Sequence, residues 1–159
     1  MISYKQRPGV NHIMEIDNNI EVLTAAQIEL LTSADIKNTP ALSFQGRKFM
    51  AKCVKVYDGD TCTLAFFHKG EMIRHSFRLL GYNAPELKGV EQAVKAVGLQ
   101  MRDKLRSIIL NKFVYVECEK LEKYGRILAH IYTDANKTVS VNDEMSQYMI
   151  TLEKGELME

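Results

Sequence analysis

A chain of 159 residues with 46% hydrophobic and 26% charged side chains, 9 Gly and 3 Pro has the make-up of one globular domain plus an extension; collagen-like, low-complexity and disordered classes are excluded. The formal net charge of +1 is too small to announce a polyanion partner. No run approaches the roughly 20 apolar residues that cross a bilayer, and Cys53, Cys62 and Cys118, with no CxxC, indicate neither a disulfide framework nor a zinc site and read as small buried side chains. Met1 to Asn19 lacks the apolar core of a secretory signal, so a soluble, intracellular, monomeric protein with no membrane partner is expected. Charge is divided unevenly, with three basic and five acidic residues over 1–42 against eighteen and fifteen over 43–159.

The first element in chain order follows a polar stretch containing Pro8 and Gly9. Thr24 can cap a helix while Gln27 reaches back to the cap amide, and Leu23 and Ile28 sit at staple spacing, so a helix of two or three turns ending near Ser33 is predicted. Asn38-Thr39-Pro40 breaks it, which places a domain boundary near residue 42 and leaves 1–42 as an N-terminal extension with one short helix. From residue 43 the pattern turns to β. Strands are predicted over Phe49–Tyr57, Thr61–His68 after the tight Asp58-Gly59-Asp60 turn, and Met72–Tyr82 after Lys69-Gly70.

Val90, Val94, Val97, Met101, Leu105 and Ile108 recur at three and four residues and predict a helix with one apolar face. Two further strands, Phe113–Glu119 and Ile127–Asp134, and a final helix from Asn142, its expected cap, to Leu152 complete the chain. Three strands, a helix, two strands and a helix over 43–159 predict a β-rich α+β domain, a five-stranded OB-type barrel with flanking helices.

Four stretches set charge in or beside apolar strands: Asp58-Gly59-Asp60-Thr61, Phe77-Arg78-Leu79-Leu80, Asn83-Ala84-Pro85-Glu86 and Lys123-Tyr124-Gly125-Arg126. A DGDT sequence alone reads equally well as a turn between strands. Arg78 alternating with Phe77 and Leu79 needs a partner if it faces inward. In this order and spacing, from Lys52 to Met145, the four stretches resemble the thermonuclease (staphylococcal nuclease-like) family.

The resemblance implies a metal-dependent nuclease that hydrolyses phosphodiester bonds of DNA and/or RNA, in endo or exo mode. It implies that Asp60 is a direct calcium ligand, a hard oxygen donor for a hard ion, with magnesium as the alternative ion. Glu86 is implied to orient or deprotonate the attacking water, and Arg78 and Arg126 to fork onto phosphate oxygens. Lys123 and Tyr124 match positions that touch a substrate phosphate. The family's Asp at the start of the loop is Asn83 here, which can still offer an oxygen but removes a full charge; Ala84 is implied to contribute its backbone carbonyl. The C-terminal tyrosines of the family pocket have no match after Tyr148.

The alternative expectation is therefore a catalytically impaired barrel that only binds nucleic acid or protein. Phe66, Phe67 and Tyr82 offer rings for base stacking, although strand aromatics more commonly pack across strands. His68, His75 and His130 have no ligand-spaced neighbours and are read as structural.

Overall fold

The computed structural model describes residues 2–5, 13–16 and 18–155. They fall into two compact units that divide between Leu42 and Ser43.

In the first unit, β1 (Ile2–Lys5) pairs antiparallel with β2 (Ile13–Ile16), Ile2 opposite Ile16 and Lys5 opposite Ile13. This hairpin was not expected from its sequence. Two four-residue strands are too short for alternation to stand out, and the Pro8-Gly9 segment read as a polar stretch lies outside the described residues. Helix α1 (Ala25–Thr32) has the expected capping box: Gln27 N–H donates to Thr24 Oγ1 at 3.1 Å and Thr24 N–H to Gln27 Oε1 at 2.9 Å. Two otherwise orphan amides are thereby satisfied. Ser33 is the C-cap, where the sequence places the end of the helix.

The second unit is a closed barrel. Its strands β3 (Lys48–Val56), β4 (Thr61–His68), β5 (Glu71–Leu79), β6 (Phe113–Leu121) and β7 (Ile127–Tyr132) run in the order β3-β4-β5-β7-β6, and β6 pairs back onto β3. All contacts are antiparallel except β5 with β7, where Phe77 faces Ile127 and Leu79 faces Ala129 in a parallel pair. The OB-type reading is thus met, with α1 in the extension and α2 and α3 packed in the barrel unit.

Period-two alternation fills the interior. Val114, Val116 and Cys118 from β6 and Ile127, Ala129 and Ile131 from β7 are buried, as are Leu64 and Phe66 from β4 and Phe77 and Leu79 from β5. Phe49 stacks on Phe66 at 4.7 Å between ring centroids, and Phe77 meets Phe66 edge-on at 5.6 Å. Each such side chain contributes about 1.5–3 kcal/mol by leaving water. Arg47 covers this end of the core. Its guanidinium lies over the Phe49 ring at 5.1 Å and meets His68 Nδ1 at 2.8 Å. All three cysteines are free and buried.

Helix α2 (Gln92–Ile109) exists where the apolar period placed it, but its buried stripe is Gly98, Met101, Leu105 and Ile109. Val90 precedes the helix and Val94 is exposed, whereas Val97, Met101, Leu105 and Ile108 of the expected face all pack on the core. Gly98 joins the buried stripe because, without a side chain, it admits the 84–87 loop against the helix, and an apolar count ignores a glycine. Helix α3 (Val141–Glu153) corrects the cap assignment. Ser140 is the N-cap, its Oγ accepting from Asp143 N–H at 3.2 Å.

Asn142 is instead buried inside the first turn. Its Oδ1 accepts Ile131 N–H at 2.8 Å, and its Nδ2 donates to the Leu80 and Ala129 carbonyls, both at 2.9 Å. One side chain thus ties α3 to β7 and to the end of β5. Among the described residues no helix is long and apolar enough to cross a membrane.

Candidate active site

One end of the barrel gathers the turn from β3 to β4, the loop leaving β5 and the turn from β6 to β7. The first is held shut by Asp58, whose Oδ1 accepts Asp60 N–H at 3.0 Å, and by backbone bonds from Tyr57 and Asp58 N–H to Thr61 O. Gly59 is required there by contact: a Cβ at this position would stand 2.5 Å from Met101 Cβ and 2.8 Å from Ala84 Cβ. Helix α2 and the 84–87 loop therefore press directly on the turn. Tyr82, buried, donates its hydroxyl to Gly59 O at 2.7 Å, and burial followed by the nearby Asp60 pushes its ionisation above the ordinary tyrosine range.

Asp60 is the hub. Its Oδ2 accepts Ala84 N–H at 2.9 Å and Arg78 Nη2 at 3.4 Å, and its Oδ1 accepts the Thr61 hydroxyl at 2.9 Å. That hydroxyl in turn accepts Arg126 Nη1 at 2.9 Å. One buried carboxylate thus joins both sequence-selected arginines, directly on one side and through Thr61 on the other. The strand register explains the convergence: Thr61 is the β-partner of Arg78, and Arg126 stands at the entrance to β7, beside β5.

Arg78 is heavily engaged. Nη1 donates to Leu79 O at 3.1 Å, and Nη2 reaches Tyr82 O at 3.1 Å and Asn83 Oδ1 in addition to Asp60. Asn83 therefore turns its oxygen toward Arg78. Ala84 binds Asp60 through its N–H, and its carbonyl accepts no protein donor among the described residues.

Glu122, absent from the sequence-selected residues, grips Arg126. Nε donates to Oε1, and Nη2 donates to Oε2 at 3.1 Å. This fork holds the Glu122 carboxyl below the usual range and raises Arg126 further, each chiefly through the mutual hydrogen bond. The four-residue spacing from Glu122 to Arg126 was the available signal. Lys123 and Tyr124 occupy the same turn. Lys123 Nζ stands 4.9 Å from the Tyr124 ring, which is 76% exposed, and no bond ties either residue to the Asp60 network.

Glu86 is exposed on its loop and has no bonded partner among the described residues. Its loop is seated by Gly98, where a Cβ would meet Leu87 Cδ2 at 2.8 Å and Pro85 O at 3.0 Å. Burial first, then Asp60 and Glu86, pushes the Asp58 carboxyl up from 3.8 to about 6. Asp58, Asp60 and Glu86 thus form a carboxylate-rich patch. Among the described residues no three His, Cys, Asp or Glu side chains stand close enough to cage an ion alone. The all-oxygen donor set, with excess negative charge, nevertheless fits a hard divalent cation that keeps part of its water shell.

The remaining sequence readings fall outside this site. His75 Nε2 meets Gly125 O at 2.6 Å, bracing the Arg126 turn, and His130 pairs with Glu119 at 3.7 Å. Phe66 and Tyr82 are buried, which leaves Phe67, 64% exposed, as the available ring of the three considered for stacking. Residues 76–150, from Arg78 through the arginine turn to α3 but not the Asp58–Asp60 turn, match the family model described as staphylococcal nuclease homologue. This part of the barrel unit is thus similar to the staphylococcal nuclease family.

Proposed function

We propose that the barrel is a metal-dependent nuclease hydrolysing phosphodiester bonds of DNA and/or RNA. The observation that carries the reading is the bridge through Asp60 and Thr61 that links two arginines, with Glu86 unpaired among the described residues on the loop that follows Ala84. Arg126 keeps its Nε edge on Glu122 and offers the remaining protons of Nη1 and Nη2 to a phosphate oxygen; Arg78 exchanges the Asn83 and Tyr82 oxygens for phosphate oxygens when substrate enters. Both cations then stabilise charge that grows on the phosphoryl oxygens. Glu86 accepts a proton from the attacking water or orients it. Lys123 and Tyr124, beside Arg126, contact a neighbouring phosphate.

Asp60, the Asn83 side-chain oxygen and the Ala84 carbonyl would hold calcium, or magnesium in its place. When bound, that ion supplies positive charge to a nonbridging oxygen and acidity to its water. A second reading, a barrel that binds nucleic acid without cleaving it, is favoured by one observation, the capture of the Asn83 oxygen by Arg78. The two are separated by incubating labelled single-stranded DNA, duplex DNA and RNA with the protein over a range of calcium and magnesium concentrations, with Glu86→Gln as control. Metal-dependent cleavage that the control loses supports the nuclease; binding without cleavage at every concentration supports the alternative.

A further inference from the structure

The register of β3, β4 and β5 sets outward-facing residues in rows across the barrel. Thr61 faces Arg78 in the first row; Lys55, Thr63 and Ser76 form the second; Lys52, Ala65 and Arg74 form the third; Phe67 faces Met72 in the last. A bulge between Cys53 and Lys55 turns Lys55 to the same side as Lys52. Rows two residues apart along β4 stand about 6.6 Å from one another. Small side chains, Thr63, Ala65 and Ser76, occupy the middle of these rows. A groove of about 290 Å³ opens there, lined by Lys55, Tyr57, Thr61, Thr63, Ser76 and Arg126. It starts at the arginine centre and leads away from it.

Its chemistry has one sign. β3, β4 and β5 carry Lys48, Lys52, Lys55, Arg74 and Arg78 against a single acidic residue, Glu71, at the far end. Among the described residues Lys52, Lys55 and Arg74 have no carboxylate partner, and all three are exposed. Two rings flank them, one at each end of these rows: Tyr57 is 47% exposed and Phe67 64% exposed. Tyr57 is held on the rigid turn by its N–H bond to Thr61 O at 2.9 Å. A groove holding Lys55 and Tyr57, continued across the face by unneutralised Lys52 and Arg74 and ending at the exposed Phe67 ring, complements a strand whose phosphates are spaced along its length and whose bases are unpaired. The face of the second and third strands is also where OB barrels take up oligonucleotides.

We propose that the outer face of β3, β4 and β5 is a track for single-stranded nucleic acid, along which the nucleotide next to the scissile phosphate stacks its base on Tyr57 and the following ones pass Lys55, Arg74 and Phe67. The track deepens the nuclease reading by giving it a substrate class, and it rests on that reading for the position of the scissile phosphate at Arg126. A duplex keeps its bases stacked on one another and cannot offer them to Tyr57.

The test measures binding of labelled oligothymidylate and of a duplex of equal length to the full chain carrying Glu86→Gln, by fluorescence anisotropy at several salt concentrations. Tyr57→Ala is expected to weaken single-strand binding by about 5- to 100-fold, the loss of one base–ring stack. Tyr57→Phe keeps it, and neither change alters duplex binding more than about twofold. Lys55→Ala with Arg74→Ala is expected to reduce the slope of log affinity against log salt by about 1.4, two single-strand phosphate contacts. Circular dichroism confirms that each variant is folded. Unchanged single-strand affinity in Tyr57→Ala, or equal loss for duplex and single strand, overturns the track even if the wild-type chain cleaves nucleic acid. Tyr57-dependent binding in a wild-type chain that cleaves nothing supports the track and removes the nuclease.

Discussion

Gly98 in α2 offers a separation of activity from stability that depends on one contact. Replacing it with Ala inserts a Cβ 2.8 Å from Leu87 Cδ2, 3.0 Å from Pro85 O and 3.4 Å from Glu86 O. The leucine end can rotate away, but the Pro85 carbonyl is backbone and has to retreat by a few tenths of an ångström, taking Glu86 with it. The helix gains about 0.5–1 kcal/mol from losing an interior glycine, which offsets the displaced contact, so net stability is expected within about 1 kcal/mol of wild type. Catalysis has no such compensation, since misplacing a reacting group by about 1 Å costs on the order of a hundredfold. A shift of a few tenths predicts roughly a 3- to 10-fold loss of kcat, and Gly98→Val, bulkier and β-branched, a larger one. Single-turnover cleavage of a labelled oligonucleotide and urea unfolding measure the two quantities. Wild-type kcat in Gly98→Ala would refute the claim that this seat positions Glu86.

Asn142→Ala should behave in the opposite way: it orphans the buried Ile131 N–H and the Leu80 carbonyl, at roughly 3–5 kcal/mol together, while the folded fraction keeps its activity. Urea unfolding of the two chains checks this. Asp58→Asn should stabilise the protein with chelator present above pH 6 and not below pH 4. The raised carboxyl, 3.8 to about 6, makes the native state bind more protons in that window, so wild-type stability falls as pH rises through it. At about 1.4 kcal/mol per pH unit the upper limit of the gain is roughly 3 kcal/mol, read from unfolding at both pH values. Asn83→Asp should tighten calcium binding by restoring a charge beside Asp60; an unchanged calorimetric affinity would remove Asn83 from the ion's ligands.

The parts of the fold legible in the sequence are those whose causes are local. The Thr24–Gln27 box spans four residues, and the alternation in β4 and β7 needs nothing beyond the strand itself. What was not legible depends on distant partners. Asn142 looked like a cap because caps favour Asn, yet its three partners lie 11, 13 and 62 residues away. The place of Gly98 in the buried stripe of α2 depends on Pro85 and Leu87 meeting it, which no apolar period records.

The four polar stretches could be picked out as a group, and β-register brings Asp60, Thr61, Arg78 and Arg126 together. Their order in the chain does not reveal that Arg78 spends its donors on Asn83, Tyr82 and Asp60, nor that Glu122 holds Arg126. Both facts concern which of several acceptors an arginine chooses, and that choice is decided by loop geometry.

The most direct measurement compares single-turnover cleavage by the wild-type chain and Arg126→Lys at saturating protein and optimal metal. Lysine keeps the charge but cannot fork between Glu122, Thr61 and a phosphate. The expected result is a loss of about 10²–10³ in rate with near-normal substrate binding and an unfolding midpoint close to wild type. Equal rates in the two proteins would contradict the assignment of the Asp60-bridged arginines as a phosphodiester-cleaving centre.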